Sequence, residues 1–327
     1  MGEANSGLRV HEQGGPEKLL WEGFPLAAPG RGEVLVRHTA IGLNYIDTYK
    51  RSGLYKLALP ACLGDEAAGV VESVGRGVCS VRFGDRVAYL DASGVGTYVQ
   101  RRVVAADRLL RLPRAVSDEL AAASLLKGLT AWALLHEVHR VRRGESVLVL
   151  AVAGGVGQLL AQWARKLGAR VIGVVGDAAK APAAKRAGCH VVLVGYHDMA
   201  ARVRAATRGQ GVHVAYDGVG RDTFMASLDA LRRRGLMVSY GNASGAAPPF
   251  SPMELMRRGS LVLTRPTVSD FVREPADLAR AARALFAALA RGTLRVRIGQ
   301  RYPLRDAARA HADLEARRTS GSSILLP

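Results

Sequence analysis

From residue 144 to 264 apolar residues come in short runs separated by stretches of helical periodicity. Ser146-Val-Leu-Val-Leu150 reads as a strand of a parallel sheet, buried on both faces. Gly154, Gly155 and Gly157 follow, and then Leu159, Leu160, Trp163, Ala164 and Leu167 recur at helical spacing up to Gly168. A second apolar strand, Arg170 to Val175, comes directly after. Further strands are predicted near 190–194, 212–216, 236–240 and 260–264, with helices between them. Such alternation predicts an α/β fold with a doubly wound parallel sheet and right-handed crossovers.

The flanks have another texture. From Leu8 to Leu112 the runs are short: Glu33 to Arg37 alternates, Gly69 to Val74 is apolar, and Asp85 to Tyr89 follows a Gly-Asp turn. Close punctuation by Gly, Pro and Asp predicts an antiparallel, β-rich domain. Ala121 to Val138 predicts a helix with Leu125, Leu129, Trp132 and Leu135 on one face. Beyond 264 come a long Ala-rich helix (Pro275 to Arg291), a short strand (Val296 to Gln300), an amphipathic helix (Leu304 to Ala316) and a last strand (Ser323 to Leu326). This tail is expected to return to the first domain, making that domain discontinuous.

The 327 residues are enough for two domains with substantial cores. No apolar run approaches the roughly 20 residues of a membrane span, and the first ten residues carry no secretory pattern. Cys62, Cys79 and Cys189 are widely spaced and odd in number. They fit free thiols in a reducing cytoplasm better than a disulfide or zinc framework. The net charge of +18 changes the picture more. It favours anionic partners, nucleic acid among them, but the Arg residues are scattered and no basic run is interleaved with aromatics. A bias toward Arg and Ala throughout the chain accounts for the charge more simply, so a nucleic-acid partner is disfavoured.

The chemistry first legible is in the glycine turn. Glycines between a strand and a helix let a pyrophosphate approach the backbone and meet the helix N-terminus, where unpaired N–H groups and the dipole favour anions. Ser146 to Val175 is therefore read as a dinucleotide site.

Several segments then carry one resemblance. Gly64-Asp-Glu-Ala-Ala-Gly-Val-Val-Glu-Ser-Val-Gly75 with Gly84-Asp-Arg-Val87 resembles the signature of the medium-chain dehydrogenase/reductase superfamily. Asn44 to Tyr49, Arg51 to Tyr55, Ala121 to Thr130, Ala153 to Gly157, Tyr216 to Gly220, Gly235 to Asn242 and the ending Gly321 to Pro327 narrow it to the zinc-independent, ζ-crystallin-like branch of bacterial NADPH:quinone oxidoreductases. The resemblance spans essentially the whole chain. It implies a GroES-like catalytic domain in residues 1–128 and 267–327, and a Rossmann domain in 129–266. It also implies NADPH in the cleft between them and a homodimer through 261–266.

Zinc-dependent relatives carry a Cys where Asn44 stands and a His where Asp65 stands. Asp65 and Glu66 remain as oxygen donors without Cys or His partners, so no metal site is expected. The zinc-free members usually carry a neutral residue at Asp65, which is expected to be solvated or paired with Arg. Val174 and Val175 end the second strand where NAD-specific folds place an acid. The matching Lys180 and Tyr196 hold the 2′-phosphate in the family, which points to NADPH. Asp177 is opposed to that phosphate unless it caps a helix, its commoner use. Val152 stands where a small residue is usual and is expected to crowd the turn.

By resemblance the cofactor lies against Asn44, Lys127, Thr130, Gly154, Gly155, Val156, Gly157, Gly176, Lys180, Tyr196, Val219, Gly220, Tyr240, Asn242 and Arg317. Tyr45, Tyr49 and Tyr55 join Asn44 on the substrate side, though each Tyr suits the core or rim equally well. The expected reaction passes hydride from NADPH to a quinone without metal. Two alternatives stay open: an enone or 2-enoyl thioester reductase with Tyr55 as proton donor, and a cofactor-binding protein with affinity for nucleic acid. His136 and His139, three apart, are expected to be surface or core filling rather than ligands.

Overall fold

The structure is a computed structural model that describes residues 5–91 and 94–327. The apolar runs of the middle region become the strands Ser146–Val149, Arg170–Val175, Val191–Val194, Val212–Asp217, Leu231–Ser239 and Val262–Thr264. All pair in parallel, in the order 191–194, 170–175, 146–149, 212–217, 231–239, 262–264. The chain runs outward from Ser146–Val149 to one edge, then returns to its other side and runs to the opposite edge. This is the doubly wound Rossmann topology, and it leaves a crevice beyond the carboxyl ends of the strands where the order reverses.

Burial explains the apolar runs. Val147, Leu148, Val149, Val171, Ile172 and Val174 are wholly inaccessible, as expected of strands covered on both faces. The helix Gly155–Lys166 packs Leu159, Leu160, Ala161 and Ala164 onto them and puts Arg165 and Lys166 in its last turn, where cations complement the dipole. Leu148, Ile172, Val174, Phe224, Leu228 and Met237 belong to one core.

The other unit is β-rich and built from both ends of the chain. It holds the chain up to Leu126, then Arg273–Gly292 and Val296–Pro327; the Rossmann unit holds Lys127–Val272 and Thr293–Arg295. Glu33–Leu43 is its spine, pairing antiparallel with Glu66–Val74, with Arg101–Ala105 and with the terminal strand Ser322–Leu326. Ile298–Pro303 extends this sheet, and Tyr302, Leu304 and Leu325 share a core with Val34, Val36 and Val71. The tail thus supplies strands and core that the N-terminal segment alone lacks.

One local difference has a physical cause. The helix expected over 121–138 is α-helical over Asp118–Ala133 and then widens into a π turn, Leu134–Val138. The Leu134 carbonyl accepts from His139 N–H at 3.2 Å and from the Tyr216 hydroxyl at 3.3 Å. The His136 ring sits 5.9 Å from that of Trp132 and 5.5 Å from that of Trp163. No described helix is long and apolar enough to cross a membrane.

Candidate active site

The glycine turn is shaped by backbone crowding. Ala151 adopts φ +48°, its carbonyl accepts from Gly154 N–H at 2.8 Å, and Val152 N–H donates to the Val174 carbonyl at 3.1 Å. A Cβ on Gly157 would lie 2.5 Å from the Ala151 carbonyl oxygen and 2.8 Å from Val152 Cα, so only glycine fits. Gly154 is the N-cap of Gly155–Lys166, and no side chain caps that end. The N–H groups of Gly155, Val156 and Gly157 therefore open a helix of 12 residues with no intrahelical partner, an arrangement that favours anions. Val152 does not crowd the turn. It is fully buried, and a Cβ on Gly173 would meet its Cγ1 at 2.8 Å, so the glycine in the neighbouring strand makes its room.

At the end of the second strand, the Asp177 carboxylate accepts from Ala179 N–H at 2.7 Å and caps the short turn Ala178–Lys180. Its charge is engaged by the turn that carries Lys180. Tyr196 lies across Gly176, its hydroxyl 3.5 Å from where a Cβ would stand. Further along, Asp217 is fully buried. It accepts from Val219 N–H at 2.8 Å, Gly220 N–H at 3.0 Å, Thr223 Oγ1 at 2.8 Å and Ser227 Oγ at 2.9 Å. This carboxylate shapes the Val219–Gly220 turn, in which Gly220 has φ +90°. The Tyr240 ring covers Gly218, where a Cβ would come within 2.8 Å of its Cζ. The Asn242 amide, oriented by its neighbours, accepts from Arg265 Nη2 and donates to the Gly241 carbonyl, both at 3.0 Å. The sequence reading missed Asp217 and Arg265. Thr223 and Ser227, four apart after Tyr216-Asp-Gly-Val-Gly220, were the available signal for the first.

In the β-rich unit, Asn44 is the extended N-cap of the helix Tyr45–Ser52. Its backbone N–H donates to Asp47 Oδ2 and its side-chain Nδ2 to Glu66 Oε1, both at 2.8 Å. Asp47 Oδ2 also accepts from the Tyr98 hydroxyl at 3.0 Å, and that hydroxyl lies 3.0 Å from His311 Nε2. Burial, and then the charge of Asp65, raise the Asp47 carboxyl well above the usual range. Burial, and then Arg51, push the His311 imidazole down to about 3, so it stays neutral. Arg51, itself only 2% exposed, donates to Glu315 at 2.7 Å.

The three tyrosines form a row, with ring centres 6.1 Å apart for Tyr45 and Tyr49 and 5.4 Å for Tyr49 and Tyr55. The Tyr45 hydroxyl donates to the Leu314 carbonyl at 2.9 Å. The same carbonyl accepts the N–H of Arg317 at 3.0 Å, and Arg317 holds φ +58°, a costly conformation for a side-chain-bearing residue. Tyr45 and Arg317 are thus joined through one oxygen, which spacing in the sequence does not reveal. A cavity of about 570 Å³ in this unit, lined by Phe24, Leu26, Val99 and Val104 among others, contains none of the expected site residues.

The donors around Asn44 do not suit zinc. Asp65 is ion-paired with Lys50, one helical turn beyond Asp47, rather than solvated or paired with Arg as expected. Glu66 is taken by amides, and Asn44 offers no strong ligand. Among the described residues no group of three or more His, Cys, Asp or Glu is placed to hold a metal ion. His136 packs edge-on against Trp163, while His139 faces Glu145 at 2.9 Å.

Known proteins match both units. The alcohol dehydrogenase GroES-like domain matches residues 30–114, and the domain described as zinc-binding dehydrogenase matches 155–285. Quinone oxidoreductase 1 of Escherichia coli is 46% identical over 98% of this chain and 99% of its own length. A crystal structure of Escherichia coli quinone oxidoreductase complexed with NADPH has a TM-score of 0.93 and 44% identity, covering 98% of this chain and all (100%) of that one. The chain belongs to the medium-chain dehydrogenase/reductase superfamily, in its bacterial quinone oxidoreductase branch. Another relative in that superfamily, a 2-haloacrylate reductase from Burkholderia sp., is 42% identical over 97% of this chain and 98% of its own length. The matched domain is described as zinc-binding, yet among the described residues no cluster of three or more His, Cys, Asp or Glu could hold a metal ion.

Proposed function

We propose that this protein is an NADPH-dependent quinone oxidoreductase that works without a metal. The observation carrying the proposal is the glycine turn, whose N–H groups head an uncapped helix, in a chain matched end to end by a quinone oxidoreductase solved with NADPH. Bound NADPH supplies the hydride. Gly154, Gly155, Val156 and Gly157 hold its pyrophosphate, and Lys180 and Tyr196 hold the 2′-phosphate beside Gly176. Val219, Gly220, Tyr240 and Asn242 line the nicotinamide side of the Rossmann unit, with Lys127 and Thr130. Asn44, of the β-rich unit, is assigned to the ribose, and Arg317 completes the set of cofactor residues. Tyr49 and Tyr55 line the acceptor. The Tyr45 hydroxyl, held by the Leu314 carbonyl, orients rather than donates protons. Quinone oxygens take protons from water or from a nearby hydroxyl, so no dedicated acid is required.

The 2-haloacrylate reductase relative favours a second reading, in which hydride goes to an activated carbon–carbon double bond and Tyr55 protonates the neighbouring carbon. Initial rates of NADPH oxidation with 1,4-benzoquinone and with 2-chloroacrylate, run in parallel, separate the two. Turnover of the quinone alone supports the first reading. Turnover of the acrylate alone, abolished by Tyr55→Phe, replaces it with the second.

The sheet edge supports a homodimer. Among the described residues Val262–Thr264 has a strand partner on one side only, Val262 is 55% exposed, and Met253 and Met256 just before it in the chain are exposed too. Light scattering at micromolar concentration tests this: a mass twice that of the chain is expected. Three thiols without disulfide partners support a cytoplasmic setting. A nucleic-acid role remains disfavoured, since the sequence interleaves no basic run with aromatics.

A further inference from the structure

Glu66 is wholly buried, and its two carboxylate oxygens have separate donors. Oε1 accepts from Asn44 Nδ2 at 2.8 Å, and Oε2 accepts from the main-chain N–H of Leu126 at 2.6 Å. Leu126 lies inside the helix Asp118–Ala133. An N–H there ordinarily serves the carbonyl four residues back, that of Ala122. The strand spine makes room for the carboxylate: a Cβ on Gly42 would stand 2.2 Å from Glu66 Oε1 and 2.4 Å from the Ala122 oxygen. A buried carboxylate costs much desolvation, and an apolar side chain of similar volume would serve packing as well or better. Its retention in a pocket cleared by a glycine calls for a role that only an acceptor can fill.

We propose that Glu66 is a positioning residue for Asn44. A carboxylate accepts only, so it selects the NH2 end of the Asn44 amide and fixes the flip. The amide oxygen is then the end able to take a hydroxyl of a ligand, here the ribose beside the nicotinamide. The second carboxylate oxygen fixes the helical turn that leads directly into Lys127 and Thr130. Asn44 is held from two sides, since Asp47 takes its backbone N–H. This inference rests on the proposed NADPH site, and it adds a residue that no ligand need touch.

The test is Glu66→Gln, which keeps the shape but offers one acceptor and one donor to two N–H groups. Four quantities are measured: NADPH affinity of the unreacted protein by fluorescence titration, the thermal midpoint, and kcat and KM with 1,4-benzoquinone. The expected result is NADPH binding weakened roughly tenfold and kcat lowered by a similar factor, with the quinone KM within about twofold. Val87→Ala, an apolar deletion in the same core, is the comparison: it lowers the midpoint and leaves NADPH affinity unchanged. Glu66→Gln with wild-type affinity and kcat, whatever its midpoint, overturns the proposal, as does equal weakening by Val87→Ala. Should Glu66→Gln not fold, Glu66→Asp keeps the charge but falls one methylene short, and wild-type NADPH affinity in that variant also overturns it. If the wild-type protein neither binds nor oxidises NADPH, the functional reading itself fails; loss of the Glu66 effect alone removes only this inference.

Discussion

The glycine turn of the Rossmann unit and the polar interior around Asn44 reach the same end, a fixed set of donors and acceptors, by opposite means. The turn is made of backbone. Ala151, Val152, Gly154 and Gly157 are neighbours in the chain, and their crowding leaves room for glycine alone. Around Asn44 the work falls to buried polar and ionisable side chains, most of them from distant segments: Asp47, Glu66, Tyr98 and His311. A backbone site responds to added volume and hardly to pH. A site of buried ionisable groups responds to pH and to the loss of any one partner, because the group left behind is unsatisfied.

Substitutions separate the two kinds of site. Gly157→Val is expected to have the largest effect, weakening NADPH about a hundredfold or more, because the side chain must displace the Ala151 carbonyl from 2.5 Å. Titration of NADPH fluorescence checks it; near-normal binding would mean that the turn does not carry the pyrophosphate. Asp217→Ala deprives two backbone N–H groups and two hydroxyls of their acceptor. A loss of about 3 kcal/mol or more in urea unfolding is expected.

The largest pH response is expected from the β-rich unit, where His38, Asp47 and His311 are buried. His38 donates Nδ1–H to the Val99 carbonyl and accepts from the Tyr89 hydroxyl, and burial lowers its pKa to about 4. A lowered histidine stabilises fully above its unfolded value near 6.5, and that stability is lost as pH falls through about 4. The whole window is worth about 3 kcal/mol. Asp47 has the opposite sign: its raised pKa favours the fold at low pH, and that contribution fades as pH rises through about 8. Between pH 4 and 6 Asp47 offsets one of the two buried histidines, His38 and His311, so denaturant midpoints should fall on the acid side with the slope of the other, and that acid limb should be shallower in His38→Gln. An unchanged acid limb would reassign the effect to other groups.

Smaller effects sharpen the comparison. Lys180→Ala should reduce the preference for NADPH over NADH about tenfold, with little change in NADH kinetics. Tyr45→Phe removes one hydrogen bond to the Leu314 carbonyl and should cost about 1 kcal/mol of stability and little activity. A large fall in kcat there would return Tyr45 to proton transfer.

The same contrast explains what the chain revealed before its structure. The doubly wound sheet was legible because each strand is a contiguous apolar run and each helix shows its period locally. The glycine turn was legible for the same reason, and Asp177 as a cap needs only its next residues. Asn44 and Glu66 were visible as motif positions, but their hydrogen bond joins residues 22 apart in sequence. Lys50 as the partner of Asp65 was not expected, because the pairing depends on how a helix lies on a strand. Val152 looked too large for its turn because the space that takes it belongs to Gly173, in another strand. The tie between Tyr45 and Arg317 spans most of the chain and leaves no local trace.

The most direct test of the account is kcat/KM for NADPH and for NADH, measured with 1,4-benzoquinone as acceptor at saturating concentration. The account predicts quinone-dependent oxidation with NADPH preferred at least tenfold. Equal use of both cofactors, or preference for NADH, would contradict the phosphate site at Lys180 and Tyr196, and absence of turnover with either would contradict the reductase itself.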